Sequence, residues 1–283
     1  MKEESHSAGP LVDAAWLREH AGDPDLVLAD VRWKPDGGAR EAFDAGHIPG
    51  AVLVDVDRDL AAPAYEGPGR HPLPTPERFA ERMSELGVAD EDTVVAYDDA
   101  SGSLAARLWW MLRATGHRAF VLDGGLVSWP GELSAEGEPR APARFSARPW
   151  PANLIASAED VRDAIARGLA VLDARAGERY RGEVEPIDAK AGHIPGARSA
   201  PFAENVDPAS QRFRSGEELR ERLEELGAGE GTIVYCGSGL TSCQLVVAME
   251  TAELPSPRLY VGSWSDWIRD QARPVATGSE PGG

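Results

Sequence analysis

The sequence predicts an α/β protein of two tandem domains, each a mostly parallel sheet flanked by helices. Three observations carry this. Short β-branched and apolar runs alternate with helical spacings, the pattern of βα units. Residues 45–51, Ala-Gly-His-Ile-Pro-Gly-Ala, recur letter for letter at 191–197. Further matching segments keep their order at an offset that shrinks from 146 to 140 to 138, as small loop deletions produce. A length of 283 residues suits two domains of ordinary size.

Taken in order, residues 1–10 read as disordered, and Val12, Trp16 and Leu17 fall at helical spacing, which predicts a helix over 12–20. Residues 26–31 form an apolar run with a carboxylate near its end, a buried strand. The turn at 45–51 leads to a short strand at 52–54. Thr75 and Pro76 open a helix that runs to about Leu86, proline being suited to the first helical position. A strand at 93–97, a helix at 104–113, a strand at 119–122 and the turn Asp123-Gly124-Gly125 complete the first unit. The second unit answers it. Val171-Leu172-Asp173 matches Leu28-Ala29-Asp30, and Glu225-Leu226-Gly227 matches Glu85-Leu86-Gly87. Thr232-Ile233-Val234-Tyr235-Cys236 matches Val94-Val95-Ala96-Tyr97-Asp98. Residues 132–151, rich in Pro, Gly, Ala and Glu and without periodicity, read as a linker between domains at 10–131 and 152–278. The glycine-rich tail from Thr277 is expected to fray.

The formal net charge of -18 argues against nucleic acid as a partner, because phosphate binding needs a basic face. It leaves small anions open, since these answer to the local field of a site. The only cysteines are Cys236 and Cys243, so no disulfide framework exists and a reducing, cytoplasmic setting is expected. No run approaches the length of a membrane span, and residues 1–10 lack an apolar signal core. The histidines and cysteines are not grouped at metal-ligand spacing and no nucleotide loop is present, so neither metal nor cofactor is expected.

The chemistry points to Cys236. It ends a strand, precedes the small-residue loop Gly237-Ser238-Gly239-Leu240-Thr241, and faces a helix predicted over 244–249. Backbone N–H groups and the helix dipole at such a place both favour a thiolate. The alternative is a buried cysteine serving as core filler. In the first unit the same position is Asp98, which cannot act as a sulfur nucleophile, so that unit is expected to be inactive and to wall the site. His47 and His193 recur in both units and read as fixing the turns. Asp30 and Asp173 read as anchors at strand ends, and Trp109, Trp110, Trp129, Trp264 and Trp267 as packing. Cys243, a turn or so into the helix, reads as buried and inert, the alternative being a redox role in which pairing with Cys236 shuts the site off.

The two His-Ile-Pro-Gly-Ala turns, Trp109-Trp110, Leu122-Asp123-Gly124-Gly125 with Trp129, and Cys236-Gly237-Ser238-Gly239-Leu240-Thr241 together resemble the tandem-domain rhodaneses. These are the thiosulfate and 3-mercaptopyruvate sulfurtransferases. The resemblance runs from about Leu11 to Gly278 and implies two rhodanese-like domains, the second one catalytic. It implies a Cys236 persulfide that carries sulfur from a small-molecule donor to a thiol or cyanide, with a thioredoxin-like reductant as a further partner. It makes Gly237, Gly239, Leu240 and Thr241 part of the substrate-binding loop. Ser238, with His71 and Asp57 of the first domain, matches the family's relay; the spacing leaves Asp55 as an alternative to Asp57. Arg179, in Glu178-Arg179-Tyr180-Arg181-Gly182, matches the arginine that clamps the donor's anionic group. The uncharged Cys-Gly-Ser-Gly loop is similar to that of mercaptopyruvate enzymes, with Leu240 where valine is usual. Those enzymes often carry a second arginine in Pro-Glu-Pro-Arg; Val184-Glu185-Pro186-Ile187 has none, leaving Arg181 or Lys190 as substitutes and thiosulfate as the alternative donor. A Cys-based phosphatase needs Cys-x5-Arg, and Ser242 stands where that arginine would be. A non-catalytic sulfur carrier is the remaining alternative.

Overall fold

The computed structural model describes residues 9–34, 37–137 and 140–282; the expectation of disorder for the N-terminus otherwise lies outside these. The first half contains β1 (Leu11–Val12), α1 (Ala14–His20), β2 (Leu26–Arg32), α2 (Ala39–Ala45), β3 (Val52–Asp55), α3 (Val56–Asp59), α4 (Pro76–Glu85), β4 (Thr93–Tyr97), α5 (Ala105–Ala114) and β5 (Arg118–Leu122). The second contains α6 (Ala158–Ala166), β6 (Val171–Asp173), α7 (Gly177–Tyr180), β7 (Arg198–Ser199), α8 (Gly216–Glu225), β8 (Ile233–Tyr235), α9 (Ser242–Thr251), β9 (Arg258–Leu259) and α10 (Ser263–Trp267).

Each half builds one all-parallel sheet, ordered β1-β5-β4-β2-β3 in the first and β7-β6-β8-β9 in the second. Ile155 bridges Leu259 in parallel at the second sheet's edge, as β1 does on β5 in the first. The central strands are buried on both faces, which is why they read as unbroken apolar runs. The helix expected from Val12 starts at Ala14, because Asp13 accepts the Trp16 N–H and caps it while Val12 pairs with Leu122. Similarly, α9 starts at Ser242 rather than at residue 244, so Cys243 is its second residue and fully buried.

The repeat is visible in the hydrogen bonds. His47 Nδ1 lies 2.9 Å from the Phe43 carbonyl, and His193 Nδ1 lies 2.8 Å from the Tyr180 carbonyl. Each ring stacks on that partner's ring at 3.7 Å. The Tyr97 and Tyr235 hydroxyls accept the N–H groups of Ile48 and Ile194 at 2.9 and 3.3 Å. Asp30 and Asp173 each hold an arginine two residues on, Arg32 and Arg175, through several hydrogen bonds that include one of 2.5 Å.

The halves meet along α5 and α9, both buried over almost their whole length, and one core cluster runs through the pair. The described part of the 132–151 segment has no helix or strand of more than a bridge, yet it is not a loose tether. Phe145 packs edge-on against Phe79 and Trp150 stacks on Trp110, so the segment straps the first domain. The tail also departs from expectation: Ala276 bridges His193, and the Gly196 N–H donates to the Pro281 carbonyl at 2.8 Å, so residues up to Pro281 lie against the repeated turn. Among the described residues no helix is long and apolar enough to cross a membrane.

Candidate active site

Cys236 follows β8 immediately and is 2 % exposed. Its backbone is tied at three points. Its N–H donates to Ser263 Oγ at 3.1 Å, its carbonyl accepts the Trp264 N–H at 2.9 Å, and the next carbonyl, Gly237, accepts the Ser265 N–H at 2.9 Å. The sulfur accepts the Gly239 N–H at 3.1 Å and the Ser242 hydroxyl at 3.4 Å. Gly239 reaches that position with φ +80°, and a side chain there would collide with the Val261 carbonyl. Burial alone pushes the Cys236 thiol up. Hydrogen bonds from the Ser242 and Thr241 hydroxyls and the Ser238 and Ser242 N–H groups outweigh it and hold the thiol below its ordinary value. Within the loop, Ser238 and Gly239 donate backbone N–H groups and Thr241 its hydroxyl, while Leu240 turns its side chain into the core. Ser242, the residue that excluded a phosphatase loop, serves as a sulfur donor.

Ser238 points the other way, out of the cradle toward the first domain. Its Oγ lies 2.8 Å from His71 Nδ1, and His71 Nε2 lies 3.1 Å from Asp57 Oδ1. Ser238 and His71 are buried and Asp57 is exposed. In the tautomer that suits the carboxylate, Nε2–H donates to Asp57 and Nδ1 accepts from the serine hydroxyl. The hydrogen bond from His71, with a further one from Trp33 Nε1 at 3.1 Å, lowers the Asp57 pKa against the opposing effect of burial. Asp55 is engaged elsewhere: its side chain caps α3 by accepting the Asp57 and Arg58 N–H groups. Asp57 is therefore the residue against His71.

Arg179, on α7, is held by Glu185 at 2.7 and 3.3 Å and by Asp188 at 3.1 Å. It lies beside Gly237. Arg181 is drawn off to Glu183. Lys190 contributes its carbonyl to Trp264 Nε1.

Sequence reasoning missed two arginines of the first domain. Arg70 reaches across to Asp188 at 2.5 Å and also lies beside Gly237. Arg107, on α5, is fully buried and donates to the carbonyls of Gly239, His71 and Leu60 at 3.1, 3.2 and 3.4 Å. Burial lowers its pKa, opposed by the neighbouring Cys243 and Cys236 sulfurs. Its signal was available, as an arginine inside the apolar run of residues 104–112. Cys243 sits against Arg107, and burial pushes its thiol up to about 12.

The first-domain counterpart of this cradle holds a carboxylate. Asp98 is fully buried and accepts the N–H groups of Ala100, Gly102, Leu104 and Ala105 at 2.7–2.9 Å. Its backbone carbonyl accepts the Leu126 N–H at 2.9 Å, as that of Cys236 accepts Trp264.

Comparison with known proteins gives the family. The rhodanese-like domain model matches twice, at residues 13–132 and 157–270. A probable 3-mercaptopyruvate sulfurtransferase of Pseudomonas aeruginosa is 44% identical over 96% of this chain and 99% of its own. A putative thiosulfate sulfurtransferase of Mycobacterium tuberculosis is 38% identical over 92% of this chain and 93% of its own. The crystal structure of SseA from Escherichia coli, described among the 3-mercaptopyruvate sulfotransferases, superposes with a TM-score of 0.80 at 32% identity, covering 91% of this chain and 99% of that one. Two rhodanese-like matches over two like-built sheets, with full-length relatives that are sulfurtransferases, place this chain in the tandem-domain rhodanese family of sulfurtransferases.

Proposed function

We propose that the chain transfers sulfur from 3-mercaptopyruvate to a thiol or cyanide through a persulfide on Cys236. In this reading residues 152–278 form the catalytic domain, 132–151 the connection, and 10–131 an inactive domain that lends His71 and Asp57. The Cys236 thiolate attacks the donor's sulfur. The new S–S bond forms as the donor's C–S bond breaks, and the bonding pair leaves on carbon as the enolate of pyruvate. Protonation of that carbon gives pyruvate. An acceptor thiolate or cyanide then takes the outer sulfur and returns the Cys236 thiolate, a ping-pong cycle.

The observation that carries the choice of donor is the hydrogen-bonded run Ser238–His71–Asp57 beside the sulfur cradle. An enolate needs a proton: the donor's thiol proton can pass through the Ser238 hydroxyl to His71 Nδ1 as the sulfur is transferred, and the same path can return it to carbon. Thiosulfate releases sulfite, which leaves with its charge and needs none. Arg179 is the residue we assign to the donor's carboxylate. The second reading is thiosulfate as donor, favoured by the name borne by the Mycobacterium tuberculosis relative. The acceptor reaches a nearly closed sulfur, which suits a small thiol or the exposed cysteine of a thioredoxin-like reductant in the cytoplasm.

Steady-state kcat/KM for the two donors, measured side by side with a Cys236→Ser control, tests the proposal. A preference for 3-mercaptopyruvate that vanishes in the control is the expected result. Activity surviving in the control removes Cys236 from the mechanism, and a preference for thiosulfate transfers the assignment to the second reading.

A further inference from the structure

A single buried arginine of the first domain bonds to the chain beside each part of the site. We propose that Arg107 is a positioning residue, which holds the sulfur cradle and the Ser238–His71–Asp57 run at one fixed separation across the domain interface. The part that concerns the run rests on the function proposed above; the part that concerns the sulfur does not.

The guanidinium divides its donors between the two domains. Nη1 donates to the Gly239 carbonyl of the second domain at 3.1 Å. Nη2 donates to the first-domain carbonyls of His71 at 3.2 Å and Leu60 at 3.4 Å. Leu60 is the C-terminal cap of α3, the helix that carries Asp57. Gly239 follows Ser238 and gives its own N–H to the Cys236 sulfur at 3.1 Å. One planar fork thus ties the backbone next to the serine, the histidine, the aspartate and the nucleophile. The spacing that proton transfer needs is set by a rigid group rather than by three separate loops.

Gly239 is the point where such a tie matters most. Glycine is the freest residue of a loop, and this one sits at φ +80°. Its N–H is on the sulfur, and its carbonyl accepts from Arg107 and from the Cys243 thiol at 3.4 Å. With both ends fixed, it cannot swing its N–H off the sulfur. Stability does not explain the arginine. Arg107 is fully buried, and among the described residues no carboxylate pairs with it. A buried cation without a counter-charge weakens a fold. The ionisable groups that face it are the Cys243 and Cys236 sulfurs.

The other interface helix does the same in reverse. Gln244 of α9, also fully buried, donates to the Ser101 carbonyl at 3.2 Å. Ser101 is the third residue after Asp98, as Gly239 is the third after Cys236, and it too has a positive φ, +57°. The Ser101 carbonyl shares a peptide with the Gly102 N–H, which donates to the Asp98 carboxylate at 2.8 Å. Each cradle loop is therefore steadied by a buried side chain from the opposite domain. The one that serves Cys236 is a cation, and the one that serves Asp98 is a neutral amide.

The test uses the full-length protein with Arg107→Lys, Arg107→Met and, as the mirror control, Gln244→Met. Two quantities are measured: the rate of Cys236 alkylation by iodoacetamide against pH, read by mass spectrometry, and kcat and KM for 3-mercaptopyruvate. A sulfur that loses its grip on the Gly239 N–H is a poorer thiolate. Both Arg107 variants therefore shift the alkylation profile to higher pH and slow alkylation at neutral pH by about fivefold, one hydrogen bond's worth. The other groups able to move that profile, Cys243 on α9, Arg70 and Arg179 beside Gly237, and His71 against Ser238, are the same in every variant. Loosening the run lowers kcat by about 10–100-fold and leaves KM within about threefold, since no contact to the donor is removed. Arg107→Lys, which keeps a donor but not the fork, stays nearer the parent than Arg107→Met. Gln244→Met lowers Tm and leaves both readouts within about twofold of the parent, because it acts on the other cradle. An unmoved alkylation profile, or an unmoved kcat in an active enzyme, overturns the proposal. So does an equal shift in Gln244→Met, which marks a loosened interface instead of a lost tie. Should Arg107→Met fail to fold, Arg107→Lys decides alone. Alkylation needs no turnover. If the parent does not use 3-mercaptopyruvate while the profile still depends on Arg107, the donor assignment falls and the positioning role stands.

Discussion

Ser238→Ala removes a single buried hydroxyl, and its effects on stability and on chemistry separate by size. The oxygen lies 2.8 Å from His71 Nδ1. Losing one such hydrogen bond costs about 1 kcal/mol of stability, which for a chain of this size lowers Tm by about 2–4 °C. The cradle is left intact, because Ser238 also contributes its backbone N–H to the Cys236 sulfur and alanine keeps that. If the hydroxyl passes a proton to the leaving enolate, the variant loses general-acid help of about 100- to 10,000-fold, equivalent to about 3–5 kcal/mol of barrier. That loss falls on one donor only. With 3-mercaptopyruvate, pyruvate release slows by at least about 100-fold. With thiosulfate, whose sulfite leaves unprotonated, kcat/KM changes by less than about threefold, within the effect of a single weak contact. The assay follows pyruvate and thiocyanate in parallel for the parent, Ser238→Ala, His71→Asn and the double variant. The double variant is no slower than the worse single one, since a relay broken once is broken. Equal losses with both donors, or losses that multiply in the double variant, refute the relay and leave Ser238 and His71 as packing groups at the domain interface.

Two further outcomes follow from burial. Cys243 keeps its proton up to about 12 when folded, whereas an unfolded thiol releases it near about 8.5. Because the folded value is raised for an acid, this group weakens the fold as pH climbs through that window. The urea midpoint of the parent therefore falls more steeply between pH 9 and 11 (about the middle of the window) than that of Cys243→Ala; parallel curves refute it. Asp98→Ala strands four N–H donors, three of them on buried residues, that now meet a carboxylate. Relief of the buried charge offsets part of this, so the net loss is about 2–4 kcal/mol. Calorimetry shows the lowered Tm, and kcat per folded molecule stays within about twofold, since no reacting atom is touched. A fall in kcat at unchanged Tm contradicts that.

Much of the architecture was legible because it is written locally. Strand runs, the proline-started helix α4 and the repeated turn each carry their instructions within a dozen residues, and the position of Cys236 follows from a strand ending in small residues. The site's charged framework was not legible, because its partners lie far apart in the chain. Arg70 meets Asp188 across 118 positions and Arg107 meets Gly239 across 132. A lone arginine or aspartate on a loop looks like a solvated surface charge until the two domains dock. Choosing between Asp55 and Asp57 likewise needed the start of α3, where capping removes one of the two. The tail looked frayed for a similar reason: Pro281 meets His193 of the repeated turn across 88 positions.

Asp98 has a consequence for how the two cradles behave through time. On the proposed cycle the second domain's cradle would hold a bare sulfur in one half and a lengthened one in the other, so its occupant would change twice per turnover. The first domain's cradle holds a guest bonded to its own backbone, which cannot dissociate and whose local concentration no solute can dilute. The loop after β4 and the start of α5 are thus kept permanently in an occupied shape. On that proposal duplication produced a moving part and a stator: one copy would exchange its sulfur, and the other, filled by its own carboxyl group, would be the fixed surface against which the exchange takes place.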